Sequence, residues 1–342
     1  MIWNLKMEKC ETINENNEIL NKLKEKYYSY NIVKINHFFH LNEKAIYSHH
    51  KEYICTYIVE NEITSNFFFA LKQISTGEGY IYDGQNNTYI KSHSQMISKL
   101  IINQKNNYII SCSYDKTIII WDFIKLNNRL SKLAVLQGHK GRIYDIDLVN
   151  DKDLLLSCGM DKNILLWDIK NFNLIKKIYL NSCIHNLMVR YLLLEKNFNN
   201  VESKELIFVY TQNKGINFIN FNKDEILETI NIYCNDGSIL ILNNEEYIYQ
   251  NKNTLNIIIF NFMLKKLSGI LKGCKNEIVI ILKFSKANKL ISYDKGNNIK
   301  IWNCIKKVCE LAIKIDFVLY CLYIDSRGNL YCGSNKNIYI YK

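Results

Sequence analysis

Two stretches of this 342-residue chain carry the same four polar and aromatic side-chain types at the same intervals. His93 is followed by Ser111, Asp115 and the pair Trp121-Asp122; His139 is followed by Ser157, Asp161 and Trp167-Asp168, and the two sets align without a gap. His and Asp are raw material for acid–base chemistry, but a His donating to a turn Asp, with a Ser hydroxyl joining the chain to a Trp indole, makes a brace. Paired in this way, buried polar groups stabilise; left unpaired, each costs about 1 to 3 kcal/mol. Asp115 and Asp161 therefore read as turn closers and not as general acids or bases. Other catalytic patterns are missing from the sequence: no Gly-rich phosphate loop, no G-x-S-x-G, no H-E-x-x-H and no EF-hand. No enzyme activity, cofactor or metal site is expected.

A brace needs strands to join. The His-to-Trp interval fits one four-stranded sheet, with the inner strand after the His and the third strand ending in Trp-Asp. Weaker copies follow in that register. Ser292 and Trp302 keep the ten-residue Ser-to-Trp interval, with Cys274 at the His position and Gly296 at the Asp position. Tyr82-Asp83, Phe260-Asn261 and Tyr341-Lys342 stand where Trp-Asp would, and a region near Asn220 does the same. Third strands are thus expected to end near residues 83, 122, 168, 220, 261, 303 and 342, at intervals that suit repeats of roughly 40 to 45 residues.

The stretch Gly138 to Asp168, GHKGRIYDIDLVNDKDLLLSCGMDKNILLWD, resembles the WD-repeat family. That resemblance implies an all-β propeller of seven blades, or eight if residues 1–36 add a partial one, closed by an N-terminal strand. Residues 37–342 form the propeller in this reading, and 1–36 an extension or partial blade. The last repeat runs out after its third strand, so something must cover that edge. Glu43 to His50 sits where an outer strand and a His would sit and is expected to close the ring. Asn31 to Asn36 looks like a third strand, Met1 to Met7 like an inner one, and polar Glu11 to Lys26 like an exposed insertion.

A narrower resemblance runs from Tyr53 to Trp167. YICTY at Tyr53 and SCGMD at Ser157 to Asp161 are similar to segments of the Polycomb EED (extra sex combs) family. This implies a trimethyl-lysine cage for a histone tail, a cation–π device, with Tyr53 and Trp3 at two of its positions. Ile280 and Ile281 stand where further aromatics belong. LLLSCGMDKNILLWDIK also resembles the motif by which some propellers dock on a cullin-RING ubiquitin-ligase adaptor, with Trp167, Asp168 and Lys170 as the docking residues. Lys170 replaces the usual Arg and lacks its bidentate fork.

Composition bounds the rest. The formal charge is +11, but only four residues are Arg; the absence of Pro and the abundance of Lys, Asn, Ile and Tyr fit a bias toward AT-rich codons. Phe262 to Lys314 holds twelve Lys against Glu277, Asp294 and Glu310, a candidate contact for nucleic acid or an acidic protein if one rim presents them. Eleven scattered Cys form no C-x-x-C pair or zinc spacing, which reads as reduced thiols; Cys112, Cys158 and Cys332 fall within expected strands as small hydrophobes. No apolar run reaches the roughly 20 residues of a membrane span. The expectation is a non-catalytic intracellular scaffold, cytoplasmic or nuclear, whose partners are proteins, with a histone tail or nucleic acid as narrower alternatives and no membrane partner.

Overall fold

The computed structural model describes residues 33–34 and 53–341, apart from segments 125–128, 150–152, 193–203, 212–214, 221–224, 231, 233, 235–238, 244, 263, 285–287 and 336–337. The described residues form seven four-stranded antiparallel sheets, the blades. Their inner strands are Tyr53–Asn61, Ile97–Asn103, Ile143–Val149, Ile184–Leu192, Ile239–Ile241, Ile278–Phe284 and Leu319–Ile324. Their third strands are Gly79–Asp83, Thr117–Ile124, Asn163–Asp168, Gly215–Asn220, Ile257–Asn261, Asn298–Asn303 and Ile338–Tyr341, each ending within about two residues of the position the repeat spacing implies.

Burial follows position within the blade. Second strands such as Tyr108–Ser113, Leu154–Gly159 and Lys289–Asp294 are buried at every residue after the first, because a neighbouring blade covers each face. Outer strands such as Asn173–Tyr179 and Val308–Lys314 lie largely open to solvent. Seven apolar clusters each fill the space between two consecutive blades. Ile110, Ile120 and Trp167 join blades 2 and 3, for instance, while Phe218, Ile239 and Tyr247 join blades 4 and 5. The core is therefore a ring of seven layers.

Closure differs from expectation. Val33–Lys34 pairs antiparallel with Ile338–Tyr341 and completes blade 7 as its outer strand. Val33–Lys34, inside the segment read as a third strand, is thus the fourth strand of the seventh blade rather than part of an eighth, and this closing strand begins ten residues before the expected Glu43–His50. Residues 43–50, 11–26 and 1–7 lie outside the described residues. Side chains close the same seam nearer the axis. Buried Glu60 of blade 1 accepts hydrogen bonds from the Ser326 amide at 2.9 Å and its hydroxyl at 3.3 Å in blade 7, and Cys55 lies 3.6 Å from Cys321 across the seam. Gly333 makes that approach possible, since a Cβ there would collide with the Cys321 sulfur and touch Cys55.

Six inner strands carry a β-bulge near their start, including those between Cys55 and Tyr57, Ile97 and Lys99, and Ile143 and Asp145. A bulge turns its extra residue out of the ladder. In blades 1 and 2 that residue latches the next blade: Thr56 Oγ1 donates to the Ile97 carbonyl at 3.0 Å and Ser98 Oγ to the Ile143 carbonyl at 2.8 Å.

Candidate functional site

The structure brings the two repeated residue sets together in blades 2 and 3. In blade 2, His93 Nδ1 lies 2.9 Å from Asp115 Oδ2, His93 Nε2 lies 2.8 Å from Ser111 Oγ, and Trp121 Nε1 donates to Ser111 Oγ at 3.0 Å. In blade 3 the corresponding distances are 2.9, 2.7 and 2.8 Å for His139, Ser157, Asp161 and Trp167. Carboxylate and indole roles fix the proton order: Trp donates to Ser, Ser to His Nε2, and His Nδ1 to Asp. Each Asp also accepts from the amide that follows the His, Ser94 or Lys140, and so clamps the interblade connection to the blade's own second turn. Burial tends to raise these carboxyls, but the hydrogen bonds donated by the His rings and by the turn outweigh it, pulling Asp115 down to about 2 and Asp161 lower still.

Blade 6 keeps half of this arrangement. Trp302 Nε1 donates to Ser292 Oγ at 2.8 Å, while partly buried Cys274 packs where the His would be, its thiol pushed up to about 11 by burial. Gly296 brings no carboxylate to the turn. Asp294, two residues earlier, closes it instead by accepting from the Gly296 and Asn298 amides at 2.9 and 3.0 Å, a substitution the spacing did not reveal. The residue ending the third strand has its own task. Asp83, Asp168, Asn261 and Asn303 each accept amide bonds from the next turn, as in Asx turns. Only an acceptor oxygen is needed, which is why Asn serves as well as Asp. Cys112, Cys158 and Cys332 are fully buried, and burial raises all three thiols.

The clamped turns of blades 2 and 3 present a surface that sequence reasoning missed. Tyr114 and Tyr144 meet edge to face with centroids 5.7 Å apart, and the Arg142 guanidinium lies 5.1 Å from the Tyr114 centroid. Met160 beside them is half exposed, and Lys116, Lys140 and Arg142 are exposed. The carboxylates of Asp115 and Asp161 are turned inward to their histidines, so this end is positive and aromatic. Deeper along the inner strands, Lys99 and Asp145 occupy matching positions after their bulges and form an interblade ion pair at 2.6 Å. Burial alone would discharge Lys99; Asp145, with Tyr57 and Asp147 behind it, wins and holds the ammonium well above its usual range.

Other expected site residues are placed differently. Tyr53 is 9% exposed, its ring stacked on Tyr89 at 5.7 Å and set edge-on to Tyr80 at 5.5 Å. Strand alternation points Tyr53 and Cys55 into the blade 1–blade 7 cluster, so the ring offers no open cage wall. Trp3 lies outside the described residues. Ile281 is core and Ile280 packs against the blade 6–blade 7 cluster. In the docking motif, Trp167 is buried with its indole N–H committed to Ser157, Asp168 caps its own turn through the Lys170 and Asn171 amides, and the Lys170 side chain is exposed. The lysines between 262 and 314 do not share one rim. Antiparallel strands send Lys272, Lys275, Lys295 and Lys314 to one end of blades 5 and 6, and Lys265, Lys266, Lys306 and Lys307 to the other.

Comparison with known proteins agrees with this geometry. The WD domain, G-beta repeat family matches residues 84–122 and 130–168, which span the two fully braced blades. The chain is a β-propeller in which two blades match the WD-repeat model. A stretch of 101 residues is 30% identical to WD repeat-containing protein 89 homolog of Dictyostelium discoideum, covering 28% of this chain and 25% of that protein. The propeller also superposes on the solved structure of U3-55K with a TM-score of 0.64 at 13% identity, covering 84% of this chain and 95% of that one. The crystal structure of the RRP9 WD40 repeats gives the same TM-score and identity, over 84% and 94%. At that identity the likeness shows the fold alone. Among the described residues, no helix is long and apolar enough to cross a membrane.

Proposed function

We propose that this propeller is a non-catalytic intracellular scaffold, cytoplasmic or nuclear, that holds protein partners within a multisubunit assembly. The observation that carries the reading is the aromatic, cationic surface of Tyr114, Tyr144 and Arg142, held rigid by two complete braces. Rigid aromatic and Arg anchors lose little entropy on binding and dominate protein interfaces. The four-residue braces beneath serve the architecture, and Val33–Lys34 extends the ring-forming unit upstream of residue 37.

The test is affinity capture of tagged full-length protein from native cells beside a Tyr114→Ala/Arg142→Ala variant of unchanged melting temperature. Proteins retained by the wild type and lost by the variant support the scaffold. A partner set indifferent to both residues, or none at all, overturns it. The trimethyl-lysine reader is weaker because the Tyr53 ring is packed on both sides, and the ligase-receptor reading because Trp167 and Asp168 are occupied within their own blade. Recovery of a SET-domain methyltransferase or a cullin through this surface would reinstate one or the other.

A further inference from the structure

At the opposite end of the ring, the third-to-outer-strand turns of blades 5 and 6 each present two aliphatic residues flanking two lysines. These are Leu264-Lys265-Lys266-Leu267 and Ile305-Lys306-Lys307-Val308. The aliphatics are far more exposed than packing requires: Leu264 58%, Leu267 52%, Ile305 72% and Val308 47%. The equivalent turn of blade 1, Gly84 to Thr88, is polar apart from its glycine. Neither basic turn is floppy. Asn261 Oδ1 accepts the Leu264 amide at 2.7 Å, and Asn303 Oδ1 accepts the Ile305 and Lys306 amides at 3.0 and 2.9 Å. Phe262 and Cys304 pack inward beneath them. The turns also abut, because Lys307 Nζ donates to the Ser268 carbonyl at 2.6 Å with its stem lying over Gly269.

We infer that these two turns form a second docking surface, for an acidic, leucine-rich extended segment of a partner protein. Charge complementarity chooses the occupant. Nearby carboxylates are already engaged: Glu310 by Lys289 and Asn303, Glu245 by Asn261, and Glu246 by Asn243. An incoming carboxylate meets the exposed side chains of Lys266 and Lys306, while an incoming aliphatic side chain covers Leu264 or Ile305. Both outer strands, Lys266–Leu271 and Val308–Lys314, are the last of their sheets, and such edges favour an extended chain. An anionic bilayer shares the same chemistry, but the exposed aliphatic and lysine side chains lie on two narrow adjoining turns beside strand edges, a strip that an extended peptide can follow. This surface is independent of the Tyr114–Arg142 site, and either can fail alone.

The experiment titrates full-length protein into a fluorescent peptide alternating Leu and Glu. Controls are the Leu–Gln and Ser–Glu peptides, and vesicles of phosphatidylserine with phosphatidylcholine. Saturable binding to the Leu–Glu peptide alone is expected, weakened about tenfold or more by Leu264→Ser/Ile305→Ser and separately by Lys266→Glu/Lys306→Glu, both with unchanged melting temperature. Because all four side chains are exposed, these variants retain the fold; a Tyr114→Ala/Arg142→Ala variant should bind the peptide normally. No saturable binding, equal binding of the Leu–Gln or Ser–Glu peptide, indifference to the substitutions, or binding to the vesicles instead overturns the inference.

Discussion

Replacing Ser157 with Ala deletes the one oxygen on which the blade 3 brace converges. Trp167 Nε1 loses its acceptor at 2.8 Å and His139 Nε2 its donor at 2.7 Å. Water cannot take over, since Trp167 is 2% exposed and the His139 side chain 1%. With about 1 to 3 kcal/mol for each orphaned buried group, the substitution should cost about 3 kcal/mol, although it removes a single oxygen atom. At roughly 2 °C per kcal/mol for a domain of this size, Tm should fall by about 6 °C. Trp167→Phe keeps most of the ring and removes the N–H, so in that background Ser157→Ala orphans only the histidine. The double variant should therefore be about 1 to 2 kcal/mol more stable than the two single costs predict. Urea titrations followed by circular dichroism measure all corners of this cycle. Strictly additive costs, or a Tm change below about 1 °C for Ser157→Ala, would refute the proton chain drawn from Trp through Ser to His.

Three further outcomes are expected. Acid should loosen blades 2 and 3: the folded-state pKa values of Asp115 and Asp161 lie below their unfolded values, so their contribution is present above about pH 4 and is lost as pH falls toward about 2. Asp115→Asn/Asp161→Asn should flatten stability against pH across that window, and an unaltered acid limb would count against the pairing. Gly333→Ala should strain the seam between Cys55 and Cys321 by about 1 to 3 kcal/mol, read as a lower urea midpoint; a neutral substitution would contradict that close approach. A chain beginning at Lys51 lacks the partner of Ile338–Tyr341 and should show a lower Tm with self-association on size-exclusion chromatography through the exposed edge. One that removes only residues 1–30 should remain monomeric; equal behaviour of the two would sink closure by Val33–Lys34.

What could be read from the sequence is what local spacing encodes. Seven third strands, the two full braces and the Ser292–Trp302 remnant all repeat at fixed separations, because each blade solves the same local problem of joining four consecutive strands. Pairing between distant segments leaves no such mark. Val33–Lys34 is a two-residue strand whose partner lies at the far end of the chain, and Glu60 meets Ser326 across 266 residues. Facing could not be read either. The Tyr53 ring turns inward because a bulge and strand alternation place it there, and the lysines after Phe262 part to opposite ends because successive turns of an antiparallel sheet must. Sequence alone therefore determined a braced, repeating β architecture. The tertiary structure decided which edge closes the ring, which aromatic is buried, and that Tyr114, Tyr144 and Arg142 converge at one end while Leu264 and Ile305 stand exposed at the other, since those outcomes depend on neighbouring blades meeting in space.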